Sequence, residues 1–182
     1  MRYYKPDVEK AKKLMADAGQ AQGFSVKLGV IPTFPTMVSG APVVAAQLKR
    51  IGITAEIENV EYAVWIKRWQ AKDFDLTMNT TPGYADPDTA FFRALHSTKG
   101  QNWNSWSVPD LDAMLEEGRR TLDPKKRKEI YDRVQLMILE NVPQLWLFSA
   151  DTIDFTQTAV KGFRQHPTTL LYGFEGAWLD KA

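Results

Sequence analysis

Apolar side chains in the first part of the chain alternate between two spacings, one typical of helices and one typical of strands. Those of residues 8–18 recur at helical spacing and stop at Gly19, whereas those of residues 24–30 alternate along an extended segment. The same order of helix, glycine and strand returns in residues 38–57. This order is typical of βαβ units. It predicts an α/β fold with a largely parallel or mixed sheet and helices on both faces.

The pattern continues with a predicted third helix over residues 62–69 and a predicted third strand over residues 74–80. A short helix is expected over residues 88–95. Ser107 resembles the cap of the next helix, and a longer helix follows that Pro143 ends.

The last part of the chain is less regular. Residues 144–150 are apolar enough to predict a fourth, buried strand with Trp146 in the core. From residue 160 onward the segments are short and rich in glycine and aromatic residues. We therefore expect one domain over residues 1–159 and a tail over residues 160–182.

Composition and charge narrow the classes of function. The 182 residues are 44% hydrophobic, carry a net charge of +1 and contain no cysteine, so disulfides, thiolate metal sites and cysteine nucleophiles are excluded. The balanced charge gives no support for a nucleic-acid partner, and the basic run at residues 125–128 is interpreted as a solvated helix face. The sequence contains no apolar run long enough to span a membrane. The start lacks an apolar signal-peptide core, which fits a piece of a longer protein given an initiator methionine.

Catalytic motifs are absent from the sequence, and the acidic residues allow two interpretations. Asp86 and Asp88 are either a carboxylate pair for acid/base chemistry, as in a small α/β hydrolase or transferase, or the capped start of a helix at Pro87. The cap is the more frequent use of such a pattern. His96 is expected to be a surface group at a helix end, and no metal or cofactor is expected.

Tryptophans suggest both core and surface roles. Trp65 and Trp69 lie on the apolar side of their helix and are predicted to be core residues. Trp103 and Trp106 lie in a polar loop, where they either stack on a ligand, as in a sugar-binding module, or anchor the loop.

The segment after the third strand carries the clearest recognition chemistry. Ligands of parallel sheets bind beyond the carboxyl ends of the strands. Thr80 and Thr81 offer hydroxyls there, Gly83 allows close approach to the backbone, and Tyr84 presents a flat face with a polar tip. With no base or activated nucleophile beside them, these groups predict binding of a small polar molecule rather than covalent chemistry.

Several stretches together resemble the C-terminal part of the family 5 extracellular solute-binding proteins, the peptide- and nickel-binding receptors of ABC importers. The resemblance is carried, in chain order, by LKRIGI, DFDL, DPD, WSVPDLD and VKGF. It implies one lobe of a type II periplasmic-binding-protein-like fold, with the tail returning to a first domain outside this chain. It also implies a periplasmic or extracellular receptor that closes around its solute, docks on an ABC permease and has no enzymatic activity.

The resemblance also implies ligand contacts. The family's contacts fall partly in residues 80–86, so Thr80, Thr81, Gly83, Tyr84 and Asp86 are candidates, and Phe34 and Trp103 are further candidates for lining the cleft. Peptide-binding members place an acidic residue four positions before the proline that here is Pro87, to pair with the ligand's amino terminus. Here that position is Gly83, and such a charge-assisted contact contributes about 2 kcal/mol. The ligand class is therefore peptide by default, with sugars, opines and metal complexes open.

Overall fold

The computed structural model describes the chain in four stretches, residues 5–81, 83–151, 153–166 and 171–180. They group into two compact units, residues 1–80 and residues 81–182.

The first unit is built on a parallel sheet. Its three strands have the order β2-β1-β3, and Phe24 pairs with Ile53 while Leu28 pairs with Leu76. The predicted alternation of helices and strands is confirmed, although the third strand is shorter than expected. The elements are α1 (Val8–Asp17), β1 (Phe24–Val30), α2 (Pro35–Lys49), β2 (Ile53–Asn59), α3 (Tyr62–Ala71) and β3 (Leu76–Thr77).

Helices cover both faces of this sheet, as predicted. Leu28 and Val30 of β1 are buried on one face in a cluster with Met37 of α2. On the other face, Trp65 of α3 donates its indole N–H to Thr77 Oγ1 on β3 at 2.6 Å. Trp65 is 4% exposed, which confirms its predicted place in the core.

A close backbone contact fixes the start of β1 against the start of β2. Gly23 has φ +74°, and a Cβ added to it would lie 2.0 Å from the carbonyl oxygen of Gly52. Only glycine fits such an approach at a positive φ. This contact lies next to the pair Phe24 and Ile53, at which the register of the two strands begins.

The second unit is mainly helical. Its core consists of apolar side chains from three helices, among them Leu111, Leu115 and Val134, which are 0% exposed. A short antiparallel pair joins Val160 to Leu179 in the predicted tail. The elements are α4 (Pro87–Leu95), α5 (Pro109–Arg120), α6 (Pro124–Asn141), β4 (Val160–Lys161), a 3-10 helix (Leu171–Phe174) and β5 (Trp178–Leu179).

The predicted strand at residues 144–150 is wrong. That segment has no strand structure, and Trp146 and Phe148 are 40% and 61% exposed. An apolar run becomes a buried strand only when a neighbouring strand satisfies its backbone. No described strand pairs with this one.

Two smaller predictions are also wrong. Ser107 does not cap α5, because Pro109 occupies the first turn and the cap position falls on Val108. His96 does end a helix, but it is 2% exposed rather than on the surface. Its Nδ1 accepts the backbone N–H groups of Thr98 and Lys99 at 3.3 and 3.1 Å, so the ring caps the turn after α4.

Within the described stretches, no helix is both long and apolar enough to cross a membrane. The same part of the chain contains no cluster of side chains that would hold a metal ion.

Candidate functional site

The carboxyl edge of the first unit's sheet carries two aromatic rings and a hydroxyl. Phe34 follows β1, Tyr62 follows β2 and Thr80 follows β3, and parallel strands bring these positions to one edge. The rings of Phe34 and Tyr62 stack with centroids 6.1 Å apart, and Tyr62 is 51% exposed. The sequence pattern predicts Tyr62 only as a helix residue. The signal that it shares this edge with Phe34 is its position directly after β2.

Residues 80–86, which we call the ligand loop, follow β3. Thr80, Thr81 and Gly83 are exposed, and Tyr84 is 37% exposed. Pro82 lies outside the described residues. The side chains predicted to meet a ligand are thus accessible to solvent, and their contacts with a ligand stay a prediction.

Asp86 ends the ligand loop and begins α4. Its carboxylate accepts the backbone N–H of Asp88 at 2.8 Å, which confirms the predicted cap. Arg127 of α6 binds the same carboxylate through both terminal nitrogens, each at 2.9 Å. The hydrogen bonds from this guanidinium hold the pKa of Asp86 below its usual value.

A second arginine binds one carboxylate oxygen of Asp88. Arg119 of α5 donates to Asp88 Oδ2 from Nε at 3.1 Å and from Nη2 at 3.0 Å. The Tyr131 hydroxyl lies 3.5 Å from the other oxygen, and burial raises the pKa of this tyrosine.

These contacts disfavour acid/base chemistry at the carboxylate pair. A general acid needs a carboxyl group that carries a proton near neutral pH. The lowered pKa of Asp86 keeps its carboxyl group ionised. Each of the two carboxylates also forms an ion pair with an arginine. The pair therefore serves to join α4 to α5 and α6.

Hydrogen bonds from two asparagine side chains hold the loop that contains Trp103. Asn102 is 5% exposed and donates its side-chain N–H to the carbonyl of Trp106 at 2.7 Å, while Asn104 donates to the carbonyl of Pro143 at 2.5 Å. Trp106 packs against the core of the second unit, so it anchors the loop rather than offering a sugar-stacking face. Trp103 is half-buried.

A separate cavity of about 470 Å³ lies in the first unit, between α3 and one face of the sheet. Its lining includes charged side chains of both signs, among them Lys27, Glu58 and Arg68. Arg68 and Glu58 are paired at 2.9 Å. None of the predicted ligand residues lines this cavity.

Comparison with known proteins identifies the class. Residues 1–102 match the family model described as bacterial extracellular solute-binding proteins, family 5 middle. The chain belongs to this family, and the resemblance inferred from the sequence is confirmed.

The relatives are longer than this chain. It is 29% identical over 174 residues to the dipeptide-binding protein of Escherichia coli K12, covering 90% of this chain and 32% of that protein. Among solved structures, HbpA2 from Haemophilus parasuis superposes with a TM-score of 0.76 at 26% identity, over 97% of this chain and 36% of that one. MoaA of A. tumefaciens R10, in complex with mannopinic acid, superposes with a TM-score of 0.68 at 26% identity, over 75% and 29%. The chain thus spans about a third of these proteins' length, and its fold is that of one part of a periplasmic binding protein.

Proposed function

We propose that this chain is the ligand-binding lobe of an extracytoplasmic receptor that captures a small polar solute and delivers it to an ABC import permease. Family membership supports the class of protein, and the relatives include proteins named as dipeptide-binding and di/tripeptide-binding. Capture without turnover fits a site in which both candidate carboxylates are held by arginines. The receptor acts in the periplasm or outside the cell and is not an enzyme.

The observation that carries this proposal is the accessible chemistry after β3. The loop presents the hydroxyls of Thr80 and Thr81, an open backbone at Gly83 and the exposed ring of Tyr84. These groups donate and accept hydrogen bonds and stack on flat groups, as sites for polar solutes do. The family resemblance adds Phe34 and Trp103 as further candidates for ligand contact.

The ligand is a peptide or a related polar nutrient. Gly83 occupies the position at which peptide-binding members hold the ligand's amino terminus, so that contact is not made from this residue. Two relatives illustrate the range, since one is named a dipeptide-binding protein and the other binds mannopinic acid.

A missing N-terminal lobe of the same protein is the proposed structural partner. The segment that follows α6 exposes large apolar side chains, including Leu145 at 68%, Ile153 at 74% and Phe155 at 93%. Burial of such surface is favourable by about 25 cal/mol per Å². From the family resemblance we propose that residues 1–159 belong to the lobe that closes on solute and that residues 160–182 form the tail that returns to the first domain.

A thermal-shift screen of the full-length protein that contains this chain tests the proposal. The panel consists of di- and tripeptides, sugars, opines and metal complexes. A ligand at 100 times its Kd stabilises the native state by about 2.7 kcal/mol, which is a clear shift in Tm. We expect a shift with one class of polar solute and no chemical change in that solute by mass spectrometry. Conversion of the solute to a product would contradict the proposal.

A further inference from the structure

We propose that Arg127 is a positioning residue for ligand recognition, because its ion pair with Asp86 fixes the point at which the chain leaves the ligand loop. This inference rests on the proposed function, since it assumes that residues 80–86 meet the solute. Arg127 itself lies at the first turn of α6, and its described hydrogen bonds go to Gly118 and Asp86 rather than to the exposed side chains of the loop.

The geometry around Arg127 joins three helices at one guanidinium. Its terminal nitrogens bind both carboxylate oxygens of Asp86 at 2.9 Å, and its Nε donates to the carbonyl of Gly118, in the last turn of α5, at 3.1 Å. The guanidinium also lies 5.0 Å from the ring centroid of Tyr131. Only arginine offers a planar fork that makes all three hydrogen bonds at once, so lysine is not equivalent here.

The ligand loop has few other attachments. Before it, the backbone N–H of Met78 donates to the carbonyl of Gly29 at 3.0 Å. Between Met78 and Asp86, the described residues make no hydrogen bond or ion pair with one another or with the rest of the described chain. Asp86 is therefore the first anchor after Tyr84, and Arg127 determines where that anchor lies.

The ion pair with Arg127 determines whether Asp86 can bind the ligand directly. A carboxylate bound by a bidentate guanidinium is neutralised, so it has little to offer to a cationic group of the ligand. Asp86 then contributes to affinity by holding Tyr84, two positions earlier, in place. A loop that is held in its binding conformation before the ligand arrives loses less entropy on binding.

Asparagine at position 86 separates the two roles of the aspartate. Asparagine caps a helix about as well as aspartate, but it cannot form the bidentate ion pair. Asp86→Asn therefore keeps the cap and removes the anchor. Arg127→Gln removes the anchor from the other side, and Arg127→Lys keeps the charge without the fork.

Two control variants test whether an effect is local. Arg133 lies on the same helix and forms a 3.8 Å exposed pair with Glu117, so Arg133→Gln removes an arginine of α6 without touching Asp86. Val134 is 0% exposed, so Val134→Ala destabilises the core of this unit without altering the ion pair.

The first measurement is hydrogen exchange of the Asp88 and Ala90 amides, which donate to Asp86, in the full-length protein without ligand. We expect Arg127→Gln and Asp86→Asn to speed exchange there about tenfold, the equivalent of a 1.4 kcal/mol local change. The double variant should be no faster than either single variant, because both remove one interaction. Arg127→Lys should be intermediate. Unchanged exchange in Arg127→Gln, or an equal rise in Val134→Ala, would overturn the inference.

The second measurement is the Kd of Ala-Ala, chosen as a probe for the peptide class. We expect Arg127→Gln to raise the Kd about tenfold while Arg133→Gln leaves it unchanged. A wild-type affinity retained by Arg127→Gln would overturn the positioning role. If wild-type protein does not bind Ala-Ala, it is not a receptor for this dipeptide, and the exchange experiment by itself decides whether Arg127 holds the loop.

Discussion

Replacement of Gly118 by alanine should destabilise the second unit even though alanine is the better helix former. Gly118 lies in the last turn of α5, and a Cβ added to it would lie 2.9 Å from both Cε2 and Cζ of Tyr131. The ring cannot swing away easily, because Tyr131 is 3% exposed and stacks on Phe91 with centroids 6.5 Å apart.

Two opposing contributions determine how Gly118→Ala changes the free energy of unfolding. Replacing glycine by alanine within a helix stabilises the helix by about 1 kcal/mol. Forcing extra volume into a packed core typically costs about 1–3 kcal/mol. Displacement of Tyr131 also disturbs the Arg127 hydrogen bond to the Gly118 carbonyl, which lies at 3.1 Å. We expect a net loss of about 1–2 kcal/mol, which lowers the Tm by about 3–6 °C for a chain of this size.

The assay is thermal and urea unfolding of Gly118→Ala in three backgrounds: wild type, Tyr131→Phe and Tyr131→Leu. In Tyr131→Phe the ring is retained, so the alanine should still destabilise. In Tyr131→Leu the ring atoms near position 118 are gone, so the alanine should become neutral or stabilising. An unchanged or higher Tm for Gly118→Ala in the wild-type background would refute the reasoning from the close contact.

Three further predictions concern packing and charge. Leu111→Ala should cost about 3 kcal/mol in urea unfolding, because Leu111 is 0% exposed and a cavity would be left. Gly23→Ala should cost about 3 kcal/mol or more, because its Cβ would meet the Gly52 carbonyl oxygen at 2.0 Å. The pKa of Asp86 is lowered by Arg127, so the stability from this pair is complete above the usual aspartate pKa and is lost as the pH falls below about 4. Acid titration of stability should show a smaller loss in Asp86→Asn than in wild type.

Much of the fold follows from local signals that the sequence shows directly. The alternation of apolar residues at two spacings predicts the parallel arrangement of β1, β2 and β3, which the structure confirms. Proline in the first helical turn marks the start of α4, α5 and α6 at Pro87, Pro109 and Pro124. These signals need no knowledge of distant residues.

Predictions that depend on a distant partner were less successful. Residues 144–150 have the composition of a buried strand, but a strand requires a neighbour that no local pattern supplies. The sequence predicts a surface position for His96 because its backbone partners lie in the turn that follows it and its other neighbour, Glu116, lies on another helix.

In the candidate site, too, the local feature is predictable from the sequence and the long-range contact is not. Asp86 is recognisable as a cap from the Asp-Pro step alone. Its pairing with Arg127 links positions 41 residues apart, and the basic run that contains Arg127 has the pattern of an ordinary solvated helix face. Charge pairing across such a separation is set by tertiary packing, so only the structure shows it.

We propose above that the ligand loop of this chain binds the solute of a receptor. The most direct measurement is isothermal titration of the full-length protein with the solute found by thermal shift, in wild type, Tyr84→Ala and Leu122→Ala. Leu122 is 94% exposed and serves as the control. We expect Tyr84→Ala to raise the Kd about tenfold, as loss of an aromatic contact does, with Tm and the control affinity unchanged. An unaltered Kd in Tyr84→Ala would contradict the account.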